Sequence, residues 1–177
     1  MSKEKLIIGA IAGDIIGSVF EWNNIKTVDF DLFCKKSTFT DDSVLTLATM
    51  DAILNQRNYT ETYQLFGQKY NNRGYGPHFS SWIYSKNPQP YNSWGNGSAM
   101  RVSPIGWYSD DLIDVMNEAK KSAEVSHNHP EGIKGAQATA VAIYLARTGK
   151  GKDEIKKFIM DTYNYDLERK IEDIRPN

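Results

Sequence analysis

The sequence Phe39-Thr40-Asp41-Asp42-Ser43 leads directly into an apolar segment, residues 44–54, which predicts a helix. A hydroxyl and two adjacent carboxylates therefore lie at the first turn of that helix. Hard oxygen atoms of this kind are the ligands that divalent cations prefer in proteins. The stretch predicts a helix start and, at the same place, a candidate metal site.

A second interpretation of the same residues needs no metal. Threonine is a preferred N-cap, and aspartate is favoured in the first helical turn by the helix dipole. Thr40, Asp41 and Asp42 would then do no more than begin the helix. The metal-binding interpretation is favoured only if other motifs in the sequence indicate the same function.

The composition describes an ordinary single domain, residues 1–177. Lys plus Arg number 21 and Asp plus Glu number 22, so the net charge of −1 gives no electrostatic case for nucleic acid or an anionic membrane. The single cysteine, Cys34, excludes an internal disulfide and a cysteine-rich zinc site. The apolar run 6–20 is interrupted by Asp14 and is too short to span a bilayer. We expect a cytoplasmic protein.

Helical periodicity extends over almost the whole chain, and no convincing strand alternation occurs. Gly9, Gly13 and Gly17 recur every four residues and predict a smooth stripe on the first helix, against which another helix can pack. Asp14 and Glu21, seven residues apart, would share a face of that helix. The fold expected is all-α, an orthogonal or irregular helical bundle, with further helices at about 59–70, 112–123, 130–147 and 153–163.

The longest segment expected to lack regular structure is 71–97, because Pro77, Pro88 and Pro90 interrupt it. It leads into Gly95-Asn96-Gly97-Ser98-Ala99-Met100-Arg101, whose glycines allow a ligand to approach the backbone and whose arginine is near by. This is a candidate phosphate-binding turn. Glycine-rich turns without a ligand are also common.

Two histidines occur in the segment His127-Asn128-His129-Pro130. Their i, i+2 spacing does not place both on one helix face, so a zinc site is a poor interpretation. His127 is either a positioned hydrogen-bond donor for an anion or a cap on the preceding helix.

Four motifs together resemble the ADP-ribosylglycohydrolase family, which includes the dinitrogenase-reductase-activating glycohydrolase. In chain order they are Gly9-x-x-x-Gly13-Asp14-x-x-Gly17-x-x-x-Glu21, Phe39-Thr40-Asp41-Asp42-Ser43, Gly95-Asn96-Gly97-Ser98-Ala99-Met100-Arg101, and Ser126-His127-Asn128-His129-Pro130 followed by Gly135-Ala136-Gln137-Ala138. The order and rough spacing resemble the family over residues 5–176.

The resemblance implies an all-helical fold around a two-magnesium centre that hydrolyses the bond between ADP-ribose and a protein side chain or a small leaving group. It implies that Thr40, Asp41 and Asp42 are metal ligands and that Glu21, Asp41 and Asp42 form the catalytic group. The implied substrate-binding residues are Asn96, Gly97, Ser98, Met100 and His127. The implied partners are ADP-ribose or an ADP-ribosylated protein.

One element of the family pattern, a second motif of the form D-x-D-T, does not occur in this sequence. In the family, its carboxylates complete both metal sites, so we expect one magnesium ion or weak binding here. An inactive, C-terminally shortened family member that at most binds ADP-ribose is the alternative. Self-association or a complementing chain is also expected, because a shortened fold exposes apolar helix faces.

Overall fold

The computed structural model describes residues 7–174 of the chain. Within this range the structure is helical and contains no strand, so the all-α prediction is confirmed. The helices are α1 (Ile8–Gly17), α2 (Asp41–Leu54), α3 (Tyr59–Lys69), α4 (Pro77–Trp82), α5 (Ser103–Tyr108), α6 (Leu112–Glu124), α7 (Pro130–Arg147), α8 (Lys152–Tyr163) and α9 (Ile171–Ile174). A 3₁₀ turn, Asn96–Ser98, precedes α5.

Two helices organise the core. α7 contacts α5, α6, α8 and the 3₁₀ turn, whereas α2 contacts α1, α3 and α5. The interface of α6 with α7 contains fully buried alanines, Ala119 and Ala123 on one side and Ala136 and Ala140 on the other. Small side chains at i, i+4 spacing allow the two backbones to approach closely. This packing fixes the loop between α6 and α7, which carries His127.

The expectation that prolines keep 71–97 free of regular structure is wrong at α4. Pro77 occupies the first turn of this helix, where its missing N–H has no helical partner to lose and its fixed φ favours the helix. Phe79 and Trp82 are buried, with stacked rings 5.3 Å apart. Burial of these two rings stabilises a helix of only six residues.

The expected packing of the α1 glycines is also wrong. A β-carbon built on Gly9, Gly13 or Gly17 would meet no atom within 4 Å among the residues described, and no residue of α1 is buried. The helix ends at Gly17, so Glu21 lies beyond it and does not share its face. α1 is instead attached to α2 through the carboxylate of Asp14.

The segment between α1 and α2 leaves several large apolar side chains in solvent. Trp22 is 87 % exposed, Val28 is 98 % exposed and Phe33 is 60 % exposed.

Of the helices described, none has both the length and the apolar character needed to cross a membrane.

Candidate functional site

The first turn of α2 is capped by Thr40. Its Oγ1 accepts a hydrogen bond from the backbone N–H of Asp42 at 3.3 Å, which satisfies one of the free donors at a helix start. The capping interpretation of Thr40 is therefore confirmed. Because the side chain is buried, the cap also fixes the direction in which the next two carboxylates leave the helix.

Asp14 of α1 holds this first turn from the side. Its carboxylate accepts hydrogen bonds from the backbone N–H and the hydroxyl of Thr40, at 2.8 and 2.6 Å, and from the backbone N–H and the hydroxyl of Ser43. Three of these four donors meet at Oδ2, and the hydroxyl of Thr40 alone reaches Oδ1. The structure thus gives Asp14 a central place that the sequence analysis did not assign to it.

Arg73, after α3, holds the same segment from the opposite side. Its guanidinium lies 3.7 Å from the centre of the Phe39 ring and donates to the hydroxyl of Thr38 at 3.1 Å. Its backbone carbonyl accepts from the N–H of Asp41 at 2.7 Å. Residues 38–43 are therefore fixed by contacts with two distant parts of the chain.

Three carboxylates meet beside the first turn of α2. One oxygen from each of Asp14, Glu21 and Asp42 lies within 4.8 Å of the others. Burial and then the charge of Asp14 raise the pKa of Asp42, whereas burial followed by Asp42 and Asp14 raises the pKa of Glu21. Such mutual repulsion is the electrostatic state that a cation relieves. We call these three residues the acidic group.

Asp41 faces a different direction from its neighbour in sequence. It lies outside the acidic group and lines a cavity of about 330 Å³. Burial, and after it the charge of Asp42, raises the pKa of Asp41 to about 7. Asp41 therefore connects the acidic group to the cavity electrostatically.

The cavity brings most of the predicted site residues together. Its walls include five of them: Asp41, Asn96, Gly97, Met100 and His127. These residues lie in three segments that are far apart in sequence, and the bundle places them around one space. Sites for small molecules in proteins commonly have volumes of roughly 300–1,000 Å³.

The 3₁₀ turn packs tightly on the loop before α7. Ser98 is buried and its hydroxyl donates to the carbonyl of Gly132 at 2.8 Å, so this side chain anchors the turn. A β-carbon on Gly97 would lie 2.9 Å from Nε2 of His127. One on Gly132 would lie 2.6 Å from the carbonyl oxygen of Ser93. Glycine at both positions is what allows the loop, the turn and the imidazole to meet.

Arg101 does not lie free beside the turn as the sequence suggested. Its side chain is fully buried, with its guanidinium 4.1 Å from the centre of the Tyr63 ring. Its Nη2 donates to the carbonyl of Ser122 at 2.7 Å and to the hydroxyl of Ser126 at 3.1 Å. The arginine is part of the cavity lining, but its side chain is fully buried and its charge is not offered to solvent.

His127 is 5 % exposed, and its Nδ1 lies 2.8 Å from Oγ of Ser126. Burial and then the positive charge of Arg101 lower the pKa of His127 to about 3. The imidazole is therefore neutral at pH 7. Its side chain makes no cap on α6, whereas His129 caps α7 by accepting from the N–H of Glu131 at 3.1 Å.

A larger cleft, about 700 Å³, lies between α2, α5 and α6. None of the predicted site residues lines it. Its buried Tyr59 donates to Glu118 at 2.8 Å, which satisfies the polar group there. The smaller cavity beside Asp41 is consequently the candidate site.

Comparison with known proteins agrees with these motifs. The ADP-ribosylglycohydrolase family matches residues 4–175. The ADP-ribosylhydrolase ARH3 of Gallus gallus is 29 % identical over 81 % of this chain and 50 % of its own length, and that of Mus musculus is 28 % identical over 84 % and 50 %. The Homo sapiens protein is 27 % identical over 84 % of the chain and 50 % of its own length.

The chain spans about half the length of these curated relatives. The family match nevertheless covers nearly all of the chain and includes all four motifs that surround the cavity and the acidic group. The chain belongs to the ADP-ribosylglycohydrolase family.

Proposed function

We propose that this chain is a magnesium-dependent hydrolase of the glycosidic bond that links ADP-ribose to a protein side chain or a small leaving group. The observation that carries the proposal is the cavity between Asp41, Gly97 and His127, with the acidic group beside it. Family membership and the names of the relatives support ADP-ribose as the ligand.

The cavity has the features that an anionic, hydroxyl-rich ligand requires. His127 is a neutral group at one wall, and the exposed Asn96 offers a side-chain amide at the turn. Arg101 also lines the cavity, and its Nε and Nη1 are buried without a hydrogen-bond partner in the part of the chain described. A positive charge that is incompletely compensated and buried beside a cavity favours a negatively charged occupant.

The acidic group fits one magnesium ion better than two. Three of the four hydrogen bonds that Asp14 accepts fall on its Oδ2, so Oδ1 of Asp14 and the carboxylate of Asp42 are the candidate ligands for one cation, with Glu21 beside them. Magnesium prefers carboxylate oxygens, demands octahedral geometry and retains several waters. When bound, the ion would neutralise the carboxylates and polarise ligand oxygens or water.

Glu21 is the residue that we assign to proton transfer. Burial, Asp42 and Asp14 all favour its protonated form, and it is exposed enough to meet solvent and ligand. A carboxyl group with a raised pKa at a site edge is suited to general acid and base catalysis. Asp41, at the cavity wall, would orient the ribose through hydrogen bonds to its hydroxyls.

The alternative function is binding of ADP-ribose without turnover. It is favoured by the small number of carboxylates in the acidic group, because they leave much of an octahedral shell to water and ligand. Binding at the cavity depends on His127 and the turn, which do not need the metal. We therefore expect binding to persist where turnover is slow.

The test is to incubate the purified chain with magnesium and peptides ADP-ribosylated on arginine or serine, and to measure released ADP-ribose by mass spectrometry. Calorimetry with ADP-ribose measures binding in parallel. Release that is lost in Glu21→Gln but retained in Glu172→Gln, a variant of an exposed glutamate on α9, supports the hydrolase. Binding without release supports the alternative. The absence of both release and binding would contradict both functions.

A further inference from the structure

At the cavity, a fully buried arginine is connected to an imidazole through one serine. Arg101 and Ser126 are each 0 % exposed, and His127 is 5 % exposed. Nη2 of Arg101 lies 3.1 Å from Oγ of Ser126, and the same Oγ lies 2.8 Å from Nδ1 of His127. The three side chains therefore form a continuous hydrogen-bonded chain.

The directions of these hydrogen bonds follow from the chemistry of the groups. A guanidinium has donors and no acceptor, so Ser126 must accept from Arg101. The serine hydroxyl keeps one proton to donate, and within residues 7–174 Nδ1 of His127 is the acceptor that it meets. If Nδ1 instead donated to Ser126, the hydroxyl proton would be buried without an acceptor in residues 7–174, which is costly.

A neutral imidazole has one donor nitrogen and one acceptor nitrogen. Since Nδ1 accepts from Ser126, the proton lies on Nε2. The positive charge of Arg101 and burial both disfavour a second proton on the ring. His127 is thus a neutral donor whose free N–H is Nε2.

Nε2 is also the ring atom directed at the 3₁₀ turn. It lies 2.9 Å from the position of a β-carbon on Gly97, and both residues line the cavity. Within the described part of the chain, the hydrogen bond of the His127 ring is made by Nδ1, and Nε2 has no hydrogen-bond partner. Its N–H therefore remains available for an oxygen of a ligand in the cavity.

We propose that Arg101 and Ser126 are positioning residues that fix His127 as the Nε2-protonated tautomer, so that it donates a hydrogen bond to an anionic oxygen of the cavity ligand. The identity of that ligand as ADP-ribose rests on the proposed function. The tautomer does not, because it is determined by contacts that exist without a ligand. The two parts can therefore be tested separately.

The tautomer is tested on the ligand-free chain labelled with ¹⁵N-histidine, by long-range ¹H–¹⁵N spectra at pH 7. The chain has three histidines, and the signal that disappears in His127→Gln identifies the one of interest. We expect Nε2 to be protonated and Nδ1 to be unprotonated. A wild-type spectrum with the proton on Nδ1 would overturn the proposal without any further variant.

Ser126→Ala removes the link, and Ser122→Ala is its matched control. Ser122 is also fully buried, but its hydroxyl donates to the carbonyl of Ala119 at 3.0 Å and takes no part in the chain to His127. We expect a mixture of tautomers in Ser126→Ala and an unchanged spectrum in Ser122→Ala. A purely structural serine would leave the His127 tautomer unchanged in both, and that outcome refutes the positioning role.

Calorimetry with ADP-ribose supplies the second readout. The affinity of Ser126→Ala should fall by about 5- to 10-fold, the size of one lost hydrogen bond, while that of Ser122→Ala should stay within about twofold of the wild type. If the wild-type chain shows the expected tautomer but does not bind ADP-ribose, the proposed function fails and the tautomer assignment stands. Equal affinities in the two variants would overturn the role of the serine in ligand binding.

Discussion

Nε2 of His127 lies 2.9 Å from the position that a β-carbon on Gly97 would occupy, and Cε1 of the same ring lies 3.1 Å from it. Any side chain at 97 must displace the imidazole or the turn. The ring cannot simply rotate away, since Nδ1 is held by Ser126 at 2.8 Å. Gly97→Ala should therefore lower the affinity for ADP-ribose about tenfold, and Gly97→Val should abolish it, as measured by calorimetry.

Gly9→Ala is the matched control for this change. Among residues 7–174, no atom lies within 4 Å of a β-carbon built at Gly9, and alanine favours a helix over glycine by about 1 kcal/mol. Its affinity for ADP-ribose should equal that of the wild type. Wild-type affinity in Gly97→Val would show that the turn does not contact the ligand.

Magnesium or manganese should bind the acidic group and raise the melting temperature. A cation at a hundred times its dissociation constant stabilises the folded state by about 2.7 kcal/mol. Asp42→Asn should remove both the calorimetric signal and the stabilisation, because Asp42 belongs to the group. Asp41→Asn, at the second predicted ligand, should weaken binding, whereas Asp153→Asn on the exposed start of α8 should leave it intact. Equal cation binding in all four chains would refute the metal site.

Asp41 should make the stability of the metal-free chain depend on pH. Burial and the charge of Asp42 raise its pKa from 3.8 to about 7 in the folded state, so folding favours the protonated form. Its contribution to stability is complete below about pH 4 and is lost as the pH rises through about 7. Asp41→Asn, which cannot ionise, should raise the melting temperature at pH 8 by about 2–4 °C and change it little at pH 4.

Thermal melts in EDTA at the two pH values measure this difference. Asp153→Asn again serves as the control and should show no gain at pH 8, since its carboxylate is exposed. A gain for Asp41→Asn at pH 4 that matches the gain at pH 8 would contradict the titration of Asp41 as the cause.

The exposed apolar side chains between α1 and α2 should cause self-association. Val28 is 98 % exposed and Phe33 is 60 % exposed, and large apolar side chains left in solvent promote contacts between molecules. Sedimentation velocity should show a concentration-dependent increase in size that the double variant Val28→Ser and Phe33→Ser reduces. Ile113→Ser, which alters a 67 % exposed residue on α6, should not reduce it. A wild-type monomer at every concentration would refute this expectation.

The long helices could be predicted from sequence because their apolar periodicity is local. The predicted helix at 130–147 coincides with α7, and the one at 153–163 differs from α8 by a single residue at its start. The six-residue α4 could not be predicted in this way, since the burial of Phe79 and Trp82 stabilises it. Short helices depend on tertiary packing more than on local propensity.

The site could be predicted in its membership but not in its geometry. Five predicted residues line the cavity, and Glu21 and Asp42 lie in the acidic group, although their roles stay predictions. The place of Asp14 depends on hydrogen bonds across 26 and 29 residues, which no local pattern contains. The presence of Asp14 in the first of the four motifs was the available signal.

The orientation of the Arg101 side chain could not be predicted from local sequence either. Its position after a glycine-rich turn suggested a charge offered to a phosphate. Its stacking on Tyr63 and its contact with Ser126 depend on where α3 and the end of α6 lie in space. The sequence correctly indicated that Arg101 lies near the site, and the packing of the helices determined the direction of its side chain.

Because α1 has no buried residue and is attached to α2 through the carboxylate of Asp14, it should open as a cooperative unit separate from the core. Its amide protons would then exchange with deuterium at a rate set by rupture of those hydrogen bonds, far faster than those of α7. Opening would also carry Asp14 away from Glu21 and Asp42. Protection of the α1 amides is therefore a direct reporter of whether the three carboxylates are assembled, readable without any ligand.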